Sequence, residues 1–217
     1  MKKNVYSLIL SEGVVDAVDA LACRRGTNRS ALINEILAEY VSYITPEMRM
    51  RRVLARMETL LREQPFRLSP PGETMLTVHS SLVYKYNPTV RYSLSLAKDG
   101  KSIGEVRVSL RTQNTALTQV MERFYYAFIA VERRFVGDND YKVEGGKFSR
   151  VLRLRANDDG LSGMISSEGI GELVAAYVAM LDRAMKAYFA CANDENEAYR
   201  AVERVYGRYA EGAPELI

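Results

Sequence analysis

Residues 4–41, NVYSLILSEGVVDAVDALACRRGTNRSALINEILAEYV, carry the pattern from which the fold of the N-terminal end of this chain is predicted. Its first part, from Val5 to Leu10, is predicted to form a strand, in which successive side chains point to opposite faces. One face carries a polar residue between two aliphatic ones, and the other is apolar. The first face is Val5, Ser7 and Ile9, and the second is Tyr6, Leu8 and Leu10.

Two helices are predicted to follow this strand. Ser11 is the expected N-cap of the first helix, and Gly26 its expected left-handed C-cap. Asn28 is the expected N-cap of the second helix. Each helix has one apolar stripe at the three-to-four spacing of an amphipathic helix. The stripes are Val14, Val15, Val18, Leu21 and Ala22 on the first helix, and Leu32, Ile33, Ile36, Leu37, Tyr40 and Val41 on the second.

Three apolar surfaces on about forty residues are more than a single small unit buries by itself. The pattern therefore predicts a partner chain that covers the strand and the two stripes.

This order of elements resembles the ribbon-helix-helix DNA-binding family of the Arc and MetJ repressors. The resemblance rests on Leu10 and Ser11 at the strand-to-helix junction, the first apolar stripe, Gly26, and Asn28–Ser30 leading into Leu32 and Ile33. It implies that two chains pair their strands antiparallel and close a shared core with four helices. It also implies that the outer face of the ribbon enters the major groove of double-stranded DNA.

The same resemblance assigns a DNA-binding site. Val5, Ser7 and Ile9 would face base edges, and Lys2 and Lys3 would add charge. Phosphates would lie at the N-terminus of the second helix, against Thr27, Asn28, Arg29 and Ser30. Family members usually carry longer polar side chains on the strand, whereas Val5 and Ile9 are aliphatic. Aliphatic groups contact thymine methyls, so the expected readout is A/T-leaning.

Charge placement favours DNA binding over dimerisation alone. In residues 1–45 the five cations, Lys2, Lys3, Arg24, Arg25 and Arg29, lie at the strand start or around the turn between the helices. Four of the five acids lie within the helices. The alternatives left open are a dimeric scaffold or adaptor that uses the fold only to dimerise, and a plasmid-partition or antitoxin-type DNA binder.

Four segments are predicted: the ribbon-helix-helix module at 1–45, a connecting helix at 46–64, a linker at 65–72 marked by prolines, and an α+β domain of unknown role at 73–217. Within the last segment we expect a strand pair over Thr74–Tyr86, then strands at 90–96 and 106–110 joined at Asp99–Gly100. A long helix over 114–135, a hairpin around Gly145–Gly146 and two final helices complete it, with the helices on one face of the sheet.

The polar side of the 90–110 hairpin carries Arg91, Arg107 and Arg111 with several serines. Two interpretations are open for it. It is the solvated side of an antiparallel sheet, or it receives a carboxylate, a phosphate or an acidic partner.

The sequence gives little indication of an enzymatic activity. His79 is the only histidine, so a histidine-based metal site or a Ser-His-Asp triad cannot be built within one chain. We expect no catalytic residue, no metal and no cofactor.

The net charge of +3 is compatible with a nucleic-acid partner. No signal peptide or long apolar run is seen, so the expectation is a cytoplasmic protein.

The combined prediction is a DNA-binding transcriptional regulator that acts as a homodimer or a tetramer. Its C-terminal domain would sense a small-molecule or protein effector, or add an oligomer contact.

Overall fold

The computed structural model describes residues 7–41, 43–97, 102–154, 165–213 and 217. The chain divides into two compact units, residues 1–49 and residues 50–217.

The N-terminal unit contains α1 (Glu12–Arg24), α2 (Arg29–Tyr40) and the first residues of α3 (Pro46–Arg62). The turn after α1 is a Schellman motif: the Thr27 N–H donates to Ala22 O, and the Gly26 N–H donates to Cys23 O. Gly26 has φ +60°, which a residue without a Cβ adopts at little cost. The predicted left-handed C-cap is therefore confirmed.

The described part of the strand predicted at 5–10, residues 7–10, forms no strand in the single chain. Residues 7–10 belong to neither a helix nor a strand, and residues 1–6 lie outside the described residues. A strand is held by hydrogen bonds to a neighbouring strand. The resemblance implies that this neighbour is the same segment of a second chain. In one chain alone, the backbone groups of this segment therefore have no strand with which to form hydrogen bonds.

The C-terminal unit is built on a six-stranded antiparallel sheet in the order β1-β2-β3-β4-β6-β5. The strands are β1 (Arg67–Leu68), β2 (Met75–Ser81), β3 (Thr89–Leu96), β4 (Gly104–Leu110), β5 (Tyr141–Glu144) and β6 (Lys147–Leu152). The register pairs Tyr92 with Val108 in the centre. Gly145 and Gly146, both at positive φ, form the tight turn between β5 and β6.

Two predictions for this sheet differ from the structure. The segment 65–72, predicted as a linker, contains β1, which pairs with β2 at the sheet edge, where prolines on either side are tolerated. Thr74–Tyr86, predicted as a strand pair, holds the single strand β2. The chain turns after it because Tyr86 and Asn87 have positive φ and Pro88 follows. The Asp99–Gly100 turn lies outside the described residues.

One face of the sheet is buried beneath helices, as the alternating patterns predict. Its inward side chains are almost fully buried: Leu76, Val78, Val90, Tyr92, Leu94, Val106, Val108, Phe148 and Leu152. The covering helices are α4 (Thr115–Val136), α5 (Ser167–Ala190) and α6 (Glu195–Gly212), together with the part of α3 from residue 50. Asn114, Ser166 and Asp194 cap α4, α5 and α6 through their side-chain oxygens.

Candidate nucleic-acid interface

The start of α2 presents unsatisfied backbone donors. Asn28 Oδ1 accepts from the Ala31 N–H at 2.9 Å, and the Asn28 carbonyl accepts from the Leu32 N–H. Within the described part of the chain, no acceptor pairs with the N–H groups of Arg29 and Ser30. Such orphan donors, with the positive end of the helix dipole, favour an anion at this position.

Arg29 is held by an ion pair that the sequence did not indicate. Its guanidinium binds both carboxylate oxygens of Asp19, which lies ten residues earlier on α1. The hydrogen bonds to Asp19 raise the pKa of Arg29, so the side chain stays cationic. The pair leaves part of the guanidinium fork free, and both side chains are largely exposed. Asp19 therefore positions Arg29 at the edge of the α1–α2 turn.

The turn carries two further arginines. Arg25 lies 3.7 Å from Glu35, whereas no carboxylate of the described residues pairs with Arg24. Both side chains lie at the C-terminal end of α1, close in sequence to Thr27. The four predicted phosphate contacts, Thr27–Ser30, therefore span the end of this turn and the first residues of α2.

The remaining predicted site residues lie before α1. Ser7 and Ile9 are exposed, Ile9 completely so. Lys2, Lys3 and Val5 lie outside the described residues. Ser11 stands at the N-cap of α1 as predicted, although its side chain makes no capping hydrogen bond.

The apolar stripes of α1 and α2 are only partly covered in the single chain, where five of their residues are exposed and four are half-buried. Of the eleven stripe residues, only Ala22 and Leu32 are buried. Among the described residues of this unit, the exposed large apolar side chains are Leu8, Ile9, Leu10, Val14, Ile36, Leu37, Tyr40, Val41, Tyr43 and Ile44. Soluble proteins rarely leave a contiguous patch of this kind open unless it contacts a partner.

Neither a metal-binding cluster nor a membrane-spanning helix is found among the described residues. This part of the chain holds no group of three or more His, Cys, Asp or Glu side chains placed to bind a metal ion. Among the described helices, none has the length and apolar character needed to cross a membrane. His79 lies in β2, where its Nε2 is 3.0 Å from the Ser69 hydroxyl.

Comparison with known proteins identifies the N-terminal segment. Residues 7–43 match the family model described as ribbon-helix-helix protein, copG family. No family model matches the rest of the chain. No curated protein matches the chain, and no solved structure does. Proteins of the matching family bind double-stranded DNA as dimers. The predicted resemblance of the N-terminal segment to the ribbon-helix-helix family is therefore confirmed over residues 7–43.

Proposed function

We propose that this protein is a homodimeric, DNA-binding transcriptional regulator whose N-terminal ribbon lies in the major groove. The observation that carries the proposal is the uncovered apolar surface of the N-terminal unit, on a segment that matches a dimerising DNA-binding family. A second copy of the chain covers such a surface when two strands pair and four helices pack together.

Burial energetics support the dimer. Leu37, Tyr40 and Ile36 on α2 are all exposed in the single chain. Covering one side chain of this size contributes about 1.5–3 kcal/mol. A two-fold interface buries each of them twice, so a few such residues offset the cost of association.

The charges around the α1–α2 turn support DNA as the ligand. Arg24 ends α1 and Arg29 begins α2, where the orphan N–H groups lie, and cations with orphan N–H groups at a helix N-terminus are typical of a phosphate site. In a dimer, one such turn lies at each end of the ribbon. In this proposal the strand recognises the bases: the Ser7 hydroxyl forms hydrogen bonds with several kinds of base, and Ile9 contacts thymine methyl groups. We therefore propose a preference for A/T-rich sites.

The C-terminal unit is proposed to regulate this binding, by sensing an effector or by joining dimers into a tetramer. Joining two dimers on neighbouring DNA sites raises affinity through effective concentration, without any new DNA contact. The proposal assigns no catalytic step, cofactor or metal to the chain.

Selection of binding sites from random duplexes by the full-length chain tests the proposal. The regulator predicts enrichment of a two-fold related motif whose half-sites are spaced as a dimer requires. No retention of any duplex at low salt would contradict it. Sedimentation of the same sample at several concentrations tests the dimer separately.

A scaffold that dimerises through this module is the second candidate. It is favoured by Ile9, an aliphatic side chain with no hydrogen-bonding group at a position expected to face the bases. A dimer in sedimentation that retains no duplex would support the scaffold and exclude the regulator.

A further inference from the structure

The solvent-facing side of the six-stranded sheet, here called the outer face, is basic and hydroxylated. In β3 and β4 the outward side chains alternate with the core residues. Arg91 lies opposite Ser109, and Ser93 lies opposite Arg107. Arg107 in turn lies opposite Ser149 on β6, which faces Lys142 on β5. Cationic side chains and serine hydroxyls therefore share one surface across four strands.

These side chains enclose a shallow concavity of about 350 Å³. This volume lies within the range of small-molecule sites. Three serines, four cations, one acid and the edges of two core residues line it, and the four cations are Arg91, Arg107, Lys142 and Lys147.

Two of the four cations are neutralised within the face. Arg107 donates to Glu105 at 2.6 Å, and Lys142 lies 2.9 Å from Glu144. The hydrogen bonds from Arg107 hold the pKa of Glu105 below its ordinary value, so that pair is ionic. No carboxylate in the described part of the chain forms an ion pair with the remaining cations of the concavity, Arg91 and Lys147. Lys147 also lies opposite Glu144 in the hairpin and helps to lower its pKa. The four cations and the two acids, Glu105 and Glu144, together leave an excess of two positive charges, which attracts an anion.

The side chains that line the concavity indicate which class of anion it binds. A guanidinium fork matches the oxygens of phosphate, and hydroxyls such as those of Ser93 and Ser109 supply further donors. Proteins that bind single-stranded nucleic acids combine a basic groove with exposed aromatic side chains on which the bases stack. Among the described lining residues, the one aromatic side chain is Phe148, and it is buried in the core.

We infer that the outer face of the sheet is a binding site for a small phosphate-bearing molecule, held chiefly by Arg91 and Lys147. This inference rests on the proposed function, since it gives the effector site of the regulator a location and a ligand class. If the molecule also changes DNA affinity, linkage requires that DNA change its affinity by the same factor.

Calorimetric titration of the full chain with inorganic pyrophosphate, without DNA and at constant ionic strength, tests the inference. We expect saturable binding of one pyrophosphate per chain. Arg91→Gln and Lys147→Gln should each weaken it about tenfold or more, since each removes a charge-assisted contact. Both side chains are exposed, so neither change disturbs the core.

Arg200→Gln is the matched control, because Arg200 is exposed on α6, in the helical layer, and has no ion-pair partner among the described residues. It should leave binding unchanged. Absence of saturable binding, equal binding by Arg91→Gln and wild type, or an equal loss in Arg200→Gln would each overturn the inference. Lower duplex affinity of Arg91→Gln, with no pyrophosphate binding, would do the same and would identify the face as a DNA contact.

A parallel titration with a nucleoside 5′-diphosphate identifies the source of the phosphate. Tighter binding than pyrophosphate indicates a nucleotide, and equal binding indicates recognition of the phosphates alone. Either result supports the site. Because no DNA is present, a failure here leaves the duplex selection unaffected, and the proposed function is judged by that selection alone.

Discussion

Arg150 Nε lies 3.2 Å from Glu132 Oε2, and both side chains are completely buried. Arg150 is on β6 and Glu132 on α4, so the ion pair ties the sheet to the helical layer. The Tyr206 hydroxyl donates to the other Glu132 oxygen at 3.2 Å. The Arg150 guanidinium also lies over the Tyr177 ring, 4.7 Å from its centroid, and donates to the main-chain oxygen of Ile217.

Glu132→Gln should lower the free energy of unfolding of the C-terminal unit by about 3–5 kcal/mol, because it leaves the Arg150 charge buried without a counter-ion. Urea unfolding of the full chain, followed by circular dichroism, measures this. The double variant Glu132→Leu with Arg150→Met should lose less than the sum of the two single changes. Strict additivity would contradict a coupled pair.

Glu195→Gln is the control for that series. Glu195 pairs with Arg123 on the surface at 2.9 Å, where water screens both charges. Its loss should change the free energy of unfolding by no more than about 0.5 kcal/mol. A loss as large as that of Glu132→Gln would show that burial does not distinguish the two pairs.

Elements with local signals were predictable from sequence. The helix expected at 114–135 is α4, Thr115–Val136, because Asn114 caps it and its apolar stripe has one period throughout. The antiparallel pairing of β3 with β4 likewise follows from two alternating segments close in sequence. Short strands are harder to predict: the two residues of β1 carry no periodicity, so the neighbouring prolines were the one local signal and they indicated a linker.

Contacts between distant residues were not predictable. Alternation places Arg150 between the inward residues Phe148 and Leu152, yet nothing in the sequence shows that Glu132 faces it. The same holds for the candidate site. Arg29 was identified by the resemblance, whereas its partner Asp19 depends on how α1 and α2 pack. The strand predicted at 5–10 is proposed to need a second chain, which a single sequence does not show.

Gly26→Ala should destabilise α1 and α2 by about 1 kcal/mol, because alanine at φ +60° is strained and the Schellman turn requires that backbone. Hydrogen exchange of peptides from residues 12–40 of the full chain measures the local effect. Gly13→Ala is the matched control, since open space surrounds its Cβ position and it lies within α1. Equal rates of hydrogen exchange in the two variants would contradict a requirement for positive φ at residue 26.

Leu37→Asp should dissociate the dimer. Leu37 is half exposed in the single chain, and a symmetric interface would bury two copies of it. Losing about 1.5–3 kcal/mol for each should raise the dimer dissociation constant about a hundredfold or more. Sedimentation at micromolar concentration measures this. Val83→Asp, at an exposed apolar residue of the C-terminal unit, should leave the dimer intact, and equal dissociation by both variants would place the interface elsewhere.

Arg29→Ala should weaken binding to all duplexes alike and flatten the salt dependence of the affinity. Each phosphate that the protein no longer neutralises reduces the log-log slope by about 0.9, so a dimer without either Arg29 should change by nearly two units. Fluorescence anisotropy over a range of salt concentrations measures the slope. Arg200→Ala should leave the slope unchanged, and an unchanged slope in Arg29→Ala would remove Arg29 from the interface.

Asp19→Asn tests the role of the ion pair in the same assay. It keeps the side-chain shape and removes the charge that competes with phosphate for Arg29. Duplex affinity should rise at low salt, with a steeper salt dependence, because a more weakly held guanidinium is free to bind phosphate. Lower affinity would instead mean that Asp19 orients Arg29 more than it competes for it.

Ile9→Arg should change which DNA sequences are preferred. Ile9 is completely exposed before α1, and an arginine at a groove-facing position donates two hydrogen bonds to guanine O6 and N7. Selection from random duplexes should therefore move one position of each half-site from A/T towards G, and Ser7→Ala should relax the neighbouring position. Val83→Arg adds the same charge to the C-terminal unit and should return the wild-type motif. If Ile9→Arg also returned that motif, the segment before α1 would not face the bases.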